Sequence, residues 1–139
     1  MTVIPESARA LVLEGRLGHL VTVNADASPQ VSIVWVGIDG DDLVTAHLGE
    51  LLKVRNVRRD ARAMISIEAD DIDPNGLQHH LIAHCTARVT EGGAPQLLQE
   101  LAHVYLGPEV KFPLMNDPPP GFILRYTVDR ITGVGPWTG

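Results

Sequence analysis

The segment from His80 to Val89 has the most regular alternation of apolar and polar residues in the chain. One face of this segment carries Leu81, Ala83, Cys85, Ala87 and Val89, and the opposite face carries His80, Ile82, His84, Thr86 and Arg88. A period of two residues is typical of a β-strand that buries one face. The chain is therefore predicted to fold around a β-sheet, and Cys85 is expected to pack in it as a small hydrophobic side chain.

Further strands are predicted at residues 19–24, 30–38, 43–47, 63–68 and 122–134. In the second of them, Val31, Ile33 and Trp35 share one face. Asp39-Gly40-Asp41 predicts a tight hairpin, because an Asp-Gly pair readily adopts the positive φ of a primed turn.

Short helices are predicted between the strands. One begins near Pro5, carries Ala8, Leu11 and Val12 on one face and stops at Gly15. Another covers residues 95–106 and buries Leu97, Leu98, Leu101 and Val104. This order of elements predicts a mainly β fold, a closed or nearly closed barrel of about six antiparallel strands, in a single domain over residues 1–139.

Composition excludes several classes of function. The net charge is −6, so general binding to nucleic acid is not expected. No apolar run approaches the roughly 20 residues of a membrane helix, and the N-terminus lacks the pattern of a signal peptide, so a cytoplasmic protein without a membrane partner is expected. The single cysteine allows no internal disulfide.

A metal site is not expected either. The densest group of possible ligands is His79, His80, His84 and Cys85. On a strand, His80 and His84 share a face but lie roughly 13 Å apart, at about 3.3 Å per residue, too far to bind one ion. The acidic loop at residues 70–76 lacks the ligand spacing of a calcium-binding loop.

Positive charge is concentrated between Gly49 and Arg62. Five of the 11 basic residues lie there, namely Lys53, Arg55, Arg58, Arg59 and Arg62. Leu51, Val54 and Val57 recur at helical spacing, which predicts a short helix that begins near Gly49. The unpaired N–H groups of such a helix attract phosphate, more so with Lys53 and Arg55 in its first turns. The alternative is a solvated basic face.

Residues 107–121 show no periodicity and include Pro108, Pro113, Pro118, Pro119 and Pro120. A long irregular segment in a compact domain is often functional. Phe112 and Met115 within it predict a loop that covers an apolar site and controls substrate access. The same prolines could instead stiffen a surface connection.

The order of these features resembles the pyridoxamine 5′-phosphate oxidase-like split β-barrel superfamily, and in particular its deazaflavin (F420)-dependent branch. The resemblance covers nearly the whole chain. The matching residues are Gly18-His19-Leu20-Val21-Thr22, Trp35, Asp39-Gly40-Asp41, the run Lys53, Asn56, Asp60 and Arg62, and the ending Gly133-Val134-Gly135-Pro136-Trp137.

The resemblance implies a homodimer with two cofactor sites at the subunit interface. Lys53, Arg55 and the amides after Gly49 would hold the cofactor phosphate, and Asn56 would also belong to the cofactor site. The ring would lie against Val34, Trp35 and Val36, and Trp137 would close the site. The alternative for Trp35 is an ordinary aromatic residue of the core or of the subunit interface. Arg59 and Arg62 would interact with the carboxylates of the F420 tail.

The sequence also departs from the family pattern. Relatives often have proline where this chain has Ile33, and Asn/Asp-Pro-Arg where it has Asp60-Ala61-Arg62. Many place a hydroxyl residue before the helix lysine, whereas this chain has Glu50, Leu51 and Leu52. Pyridoxamine-phosphate oxidases carry Arg-x-His near the C-terminus. Here Arg130 is followed by Ile131 and Thr132, so that activity is not expected.

The function implied by the resemblance is hydride transfer between F420 and a reducible small molecule. An FMN-dependent oxidoreductase of the same fold is the first alternative. A protein that binds flavin, deazaflavin or haem without catalysis is the second. No residue could be assigned as a general acid.

Overall fold

A computed structural model describes residues 4–138. Within these residues the chain forms seven strands, three α-helices and one 3-10 helix. The strands are β1 (Gly18–Val23), β2 (Pro29–Val34), β3 (Gly37–Asp39), β4 (Asp42–His47), β5 (Arg62–Ile72), β6 (Gln78–Glu91) and β7 (Phe122–Val134). The helices are α1 (Glu6–Leu13), α2 (Leu52–Arg59) and α3 (Ala94–Tyr105), and the 3-10 helix covers Pro136–Thr138.

The seven strands form one antiparallel sheet in the order β2-β1-β5-β6-β7-β4-β3. β2 and β3 lie at opposite edges, yet only Trp35 and Val36 separate them along the chain. A link this short spans at most about 11 Å. The sheet must therefore curl until its two edges approach each other, and this confirms the predicted mainly β barrel.

The single strand predicted at residues 30–38 is two strands, which is why the barrel has seven strands instead of about six. The break lies at Trp35 and Val36. Val36 enters the core beside Gly18, where an added Cβ would lie 2.5 Å from Val36 Cγ2. Glycine at position 18 thus leaves room for the chain to pass from one sheet edge to the other.

The core lies inside the barrel and beneath the helices. Its largest fully buried side chains include Leu20, Ile65, Ile67, Leu81, Leu124 and Tyr126. The predicted buried face of β6 is confirmed from Leu81 to Ala87. α1 buries Ala8, Leu11 and Val12 as predicted, and α2 adds Val54 and Val57.

Two helix predictions are corrected. α2 begins at Leu52 instead of near Gly49, because the Leu51 N–H bonds to the Gly49 carbonyl in a tight turn and Leu51 itself is extended. Val104 is 49% exposed instead of buried, and its side chain borders the connection at Gly15 instead of entering the core.

The connection from α3 to β7 contains no helix or strand, as predicted for residues 107–121. Over the described range, 4–138, no helix combines the length and apolar character needed to cross a bilayer. The same range holds no group of three or more His, Cys, Asp or Glu side chains placed to bind a metal ion.

Candidate functional site

A cleft of about 240 Å³ opens where the ends of β2 and β4 meet the first turn of α2. Two polar side chains, His47 and Lys53, face it. Its apolar lining includes Ile33, Val34, Trp35, Ala46, Leu98 and Phe112. Four of the predicted site residues, Val34, Trp35, Lys53 and Phe112, therefore meet in one place, although they come from the end of one strand, a helix and a loop.

Trp35 is held as a rigid wall of this cleft. Its ring stacks on Tyr105 of α3 at 5.5 Å between centroids, and the Phe112 ring meets it edge-on at 5.1 Å. The Tyr105 hydroxyl accepts the Val36 N–H at 2.9 Å and donates to the Arg16 carbonyl at 2.6 Å. α3 is thereby fastened to the break between β2 and β3, directly behind the tryptophan.

Lys53 lies in the first turn of α2 and is half-buried. Burial lowers the pKa of its ammonium group. Within residues 4–138, Lys53 has neither an ion pair nor a side-chain hydrogen bond. No side chain caps the N-terminus of α2 beside it. The cleft therefore contains a partly desolvated positive charge whose hydrogen-bonding capacity is free for an anionic ligand.

His47 ends β4 at the floor of the cleft and is 7% exposed. Its Nε2 lies 2.8 Å from Thr45 Oγ1, and Thr45 Oγ1 lies 2.8 Å from the Tyr126 hydroxyl. Burial, with a smaller contribution from Lys53, lowers the pKa of His47 to about 3. The imidazole is therefore neutral at physiological pH.

The arginines that follow Lys53 contact other parts of the protein. Arg55 donates to the Glu50 carbonyl at 2.9 Å, and Arg58 pairs with Glu50 and Glu91. Arg59 donates to the Val23 carbonyl and to Asn56 Oδ1, and Arg62 pairs with Asp60 at 2.7 Å. None of these four arginines lines the cleft within one chain, and their predicted contacts with a cofactor stay predictions.

Three other predicted site residues, Val36, Asn56 and Trp137, lie outside the cleft and contribute to packing or hydrogen bonding within the fold. Val36 is 2% exposed, packs in the core and does not line the cleft, and its predicted contact with the ring stays a prediction. Asn56 is fully buried and donates to Thr22 Oγ1 and Asn24 Oδ1, which fastens α2 to β1. Trp137 donates to the His80 carbonyl at 2.9 Å and lines a separate cleft beside α1. Gly49 lies on the surface, where its carbonyl accepts the Leu51 N–H.

The proline-rich loop forms one side of a second, larger groove. This groove of about 500 Å³ lies between the loop and α3, and both Phe112 and Met115 line it. Gln99 fixes the loop, since its amide donates to the Val110 carbonyl and its side-chain oxygen accepts the Phe112 N–H. Phe112 separates the groove from the cleft, whereas Met115 does not reach the cleft.

Sequence reasoning missed His47, Leu98 and Tyr105. The sequence pattern shows His47 only as the end of a strand, and its position before the basic helix is the available signal. The contact of Leu98 with the cleft and that of Tyr105 with the strand break join segments far apart in sequence. No local pattern predicts such contacts.

An exposed apolar strip on the outer face of the sheet adjoins the cleft. Val31 and Ile33 of β2 are 59% and 55% exposed. In the register, Val31 lies opposite Val21, and Val21 lies opposite Met64. Ile33 belongs both to this strip and to the cleft lining. The two surfaces are therefore continuous.

The cleft fits part of a flavin or deazaflavin cofactor. Trp35 and the aliphatic side chains offer an apolar wall for a ring, and Lys53 offers a charge for a phosphate. A volume of about 240 Å³ is smaller than the roughly 300–1,000 Å³ of sites that enclose a whole ligand. The cleft of one chain is therefore too small to enclose a whole cofactor.

No family model matches the sequence, and no curated protein matches it. Among solved structures, the fold is similar to an F420 reductase, with a TM-score of 0.74 and 25% identity over 93% of this chain and 98% of that chain. It is similar to a candidate pyridoxamine 5′-phosphate oxidase of Listeria innocua, with a TM-score of 0.66 and 20% identity over 90% and 93%. It is also similar to an FMN-binding protein of Syntrophomonas wolfei, with a TM-score of 0.67 and 14% identity over 94% and 85%.

Proposed function

We propose that the chain is an F420-dependent oxidoreductase of the pyridoxamine 5′-phosphate oxidase-like split β-barrel superfamily, whose fold it shares. Its reaction is hydride transfer between the deazaflavin and a reducible small molecule. The likeness to an F420 reductase supports this choice of cofactor. The observation that carries the proposal is the half-buried Lys53, which has no partner among residues 4–138, beside the apolar wall of Trp35.

The residues of the cleft have separate tasks in this proposal. Lys53 binds the cofactor phosphate, since an ammonium group that lacks a partner gains most from an anion. Trp35 supports the ring, and its stacking on Tyr105 keeps that surface in place. Phe112 closes the side toward the proline-rich loop and excludes water from the ring. The bound cofactor supplies the hydride.

A homodimer completes the site in this proposal. The strip of Val21, Val31, Ile33 and Met64 is the surface for the second copy, because exposed apolar patches commonly mark protein contacts. Since Ile33 also lines the cleft, a partner on this strip would cover the open side of the cleft.

The proposal is tested by titrating the purified protein with F420 and with FMN, and by measuring its mass by light scattering. We expect a dimer that binds F420 more tightly than FMN and oxidises reduced F420 with a suitable acceptor. Tighter binding of FMN would assign the protein to the flavin enzymes of the same fold. Tight binding of F420, FMN or haem without turnover on a panel of reducible compounds would indicate a carrier, and no binding would refute the proposal.

A further inference from the structure

A chain of three buried polar groups leads from the barrel interior to the cleft. Tyr126 of β7 and Thr45 of β4 are both fully buried, and His47 is almost so. The Tyr126 hydroxyl lies 2.8 Å from Thr45 Oγ1, which in turn lies 2.8 Å from His47 Nε2. These three groups are polar, yet the proposed hydride transfer needs none of them.

The direction of these hydrogen bonds follows from the available acceptors. Burial raises the pKa of Tyr126, so this residue keeps its proton. Within residues 4–138, Thr45 Oγ1 is the one acceptor near that proton. Tyr126 therefore donates to Thr45, because the reverse arrangement would leave a fully buried O–H without an acceptor. Thr45 must then use its own single proton to donate to His47 Nε2.

This arrangement fixes the tautomer of His47. The ring is neutral, and its Nε2 accepts a hydrogen bond, so its proton is on Nδ1. In the described part of the chain, Nδ1 of His47 has no hydrogen-bond partner. In the same part, every buried side-chain nitrogen or oxygen atom has a partner, so Nδ1 is not a buried atom. It is therefore accessible, and the residue faces the cleft that contains Lys53.

We propose that His47 and Lys53 together form a two-donor site for the phosphate of the cofactor, in which a fixed, neutral Nδ1–H complements the ammonium charge. This inference rests on the proposed function, because it places the cofactor phosphate at Lys53. The neutral donor contributes direction to the site, whereas the lysine contributes charge. The buried hydroxyls of Tyr126 and Thr45 are positioning groups that hold the donor in this tautomer.

The tautomer is tested on the ligand-free protein by ¹⁵N NMR of the imidazole nitrogens. The His47 signals are assigned by their loss in His47→Gln. His19 is an internal reference, because its Nδ1 lies 3.3 Å from the Ser66 carbonyl, which can only accept. We expect the Nδ1–H form of His47 in the wild type and a loss of this preference in Thr45→Val. An Nε2–H form in the wild type would overturn the inference.

Binding is tested with two variants of matched chemistry. The side-chain amide of His47→Asn can occupy the position of Nδ1, whereas the longer His47→Gln places its amide near Nε2. We expect affinity for F420 and FMN to fall roughly 10-fold or more in His47→Gln, the loss expected for one hydrogen bond to a charged group, and much less in His47→Asn. Riboflavin, which lacks the phosphate, should bind both variants equally. Circular dichroism verifies that both variants fold.

The outcomes separate this inference from the proposed function. If the wild type binds F420 or FMN and the two variants lose affinity equally, the two-donor site is refuted while the proposed function stands. A difference that is as large for riboflavin would place the His47 contact on the ring and would also refute the inference. If the wild type binds neither cofactor, the proposed function fails and the phosphate site fails with it.

Discussion

Replacing Lys53 by methionine separates binding from folding at the candidate site. Methionine keeps the length and most of the apolar stem of lysine but removes the ammonium group. Lys53 is half-buried and unpaired within the described residues, and burial lowers its pKa. The charge therefore costs folding free energy that no internal partner offsets. In the proposed function, the phosphate of the cofactor would offset this cost.

Two effects of opposite sign are expected from Lys53→Met. A charge-assisted hydrogen bond contributes about 1.5–3 kcal/mol, so affinity for F420 or FMN should fall roughly 10- to 100-fold. The melting temperature of the ligand-free protein should stay equal or rise, because a desolvated charge has been removed. The pH dependence has a definite sign: since the pKa is lowered in the folded state, the cost is present below the folded pKa and disappears as pH rises toward the ordinary value of 10.5.

The assays are a fluorescence titration with each cofactor and a thermal melt without cofactor. Lys111→Met is the matched control, because it makes the same chemical change at an exposed position outside the cleft. We expect the control to leave affinity within about twofold of the wild type. A lower melting temperature in Lys53→Met together with unchanged affinity would refute the argument, since Lys53 would then stabilise the fold and bind no ligand.

Four other outcomes are expected. His47→Leu should reduce the loss of stability that occurs as pH falls from about 6.5 toward 3, because the folded wild type keeps this imidazole neutral while the unfolded state protonates it. The slope from one such group is up to about 1.4 kcal/mol per pH unit. Urea-unfolding free energies of variant and wild type that fall in parallel with pH would contradict this. Val31→Asp should convert the dimer to a monomer in light scattering and weaken cofactor binding, whereas a persistent dimer would place the interface elsewhere. Phe112→Ala should change turnover or substrate preference more than cofactor affinity, and an equal change in both would assign the loop to the cofactor site. Arg62→Gln should weaken binding of long-tailed F420 by about threefold or less, and less still at high salt, because an exposed ion pair already screens this charge; an equal loss for FMN would contradict a contact with the tail.

The fold was largely predictable because its signals are local. The alternation from Leu81 to Ala87 reports the buried face of β6, and the Asp39-Gly40-Asp41 turn matches the β3–β4 hairpin, in which Gly40 has a φ of +63°. The break at Trp35 is different. The sequence pattern of residues 30–38 predicts one strand. The strand is broken because the chain crosses from one sheet edge to the other when the barrel closes, and Gly18 leaves room for that crossing.

The site was predictable where charge or composition stood out. Lys53 was identified because positive charge is concentrated in an otherwise acidic chain, and Phe112 because it is an aromatic residue among prolines. His47 could not be identified in this way. Its neutral state depends on burial, and its tautomer depends on Tyr126, which is 81 residues from Thr45 in the sequence. The exposure of Val31 and Ile33 on the outer face of β2 could not be predicted either, since these side chains would suit a core equally well.

The break between β2 and β3 couples the shape of the cleft to the packing of the barrel. Trp35 faces the cleft, while Val36, the next residue, fills the space above Gly18. A change as small as Gly18→Ala would push Val36 outward and would move Trp35 with it, although position 18 does not line the cleft. In the proposed function, mutations hidden in the core would therefore change substrate preference. Directed-evolution libraries restricted to cleft residues would miss them.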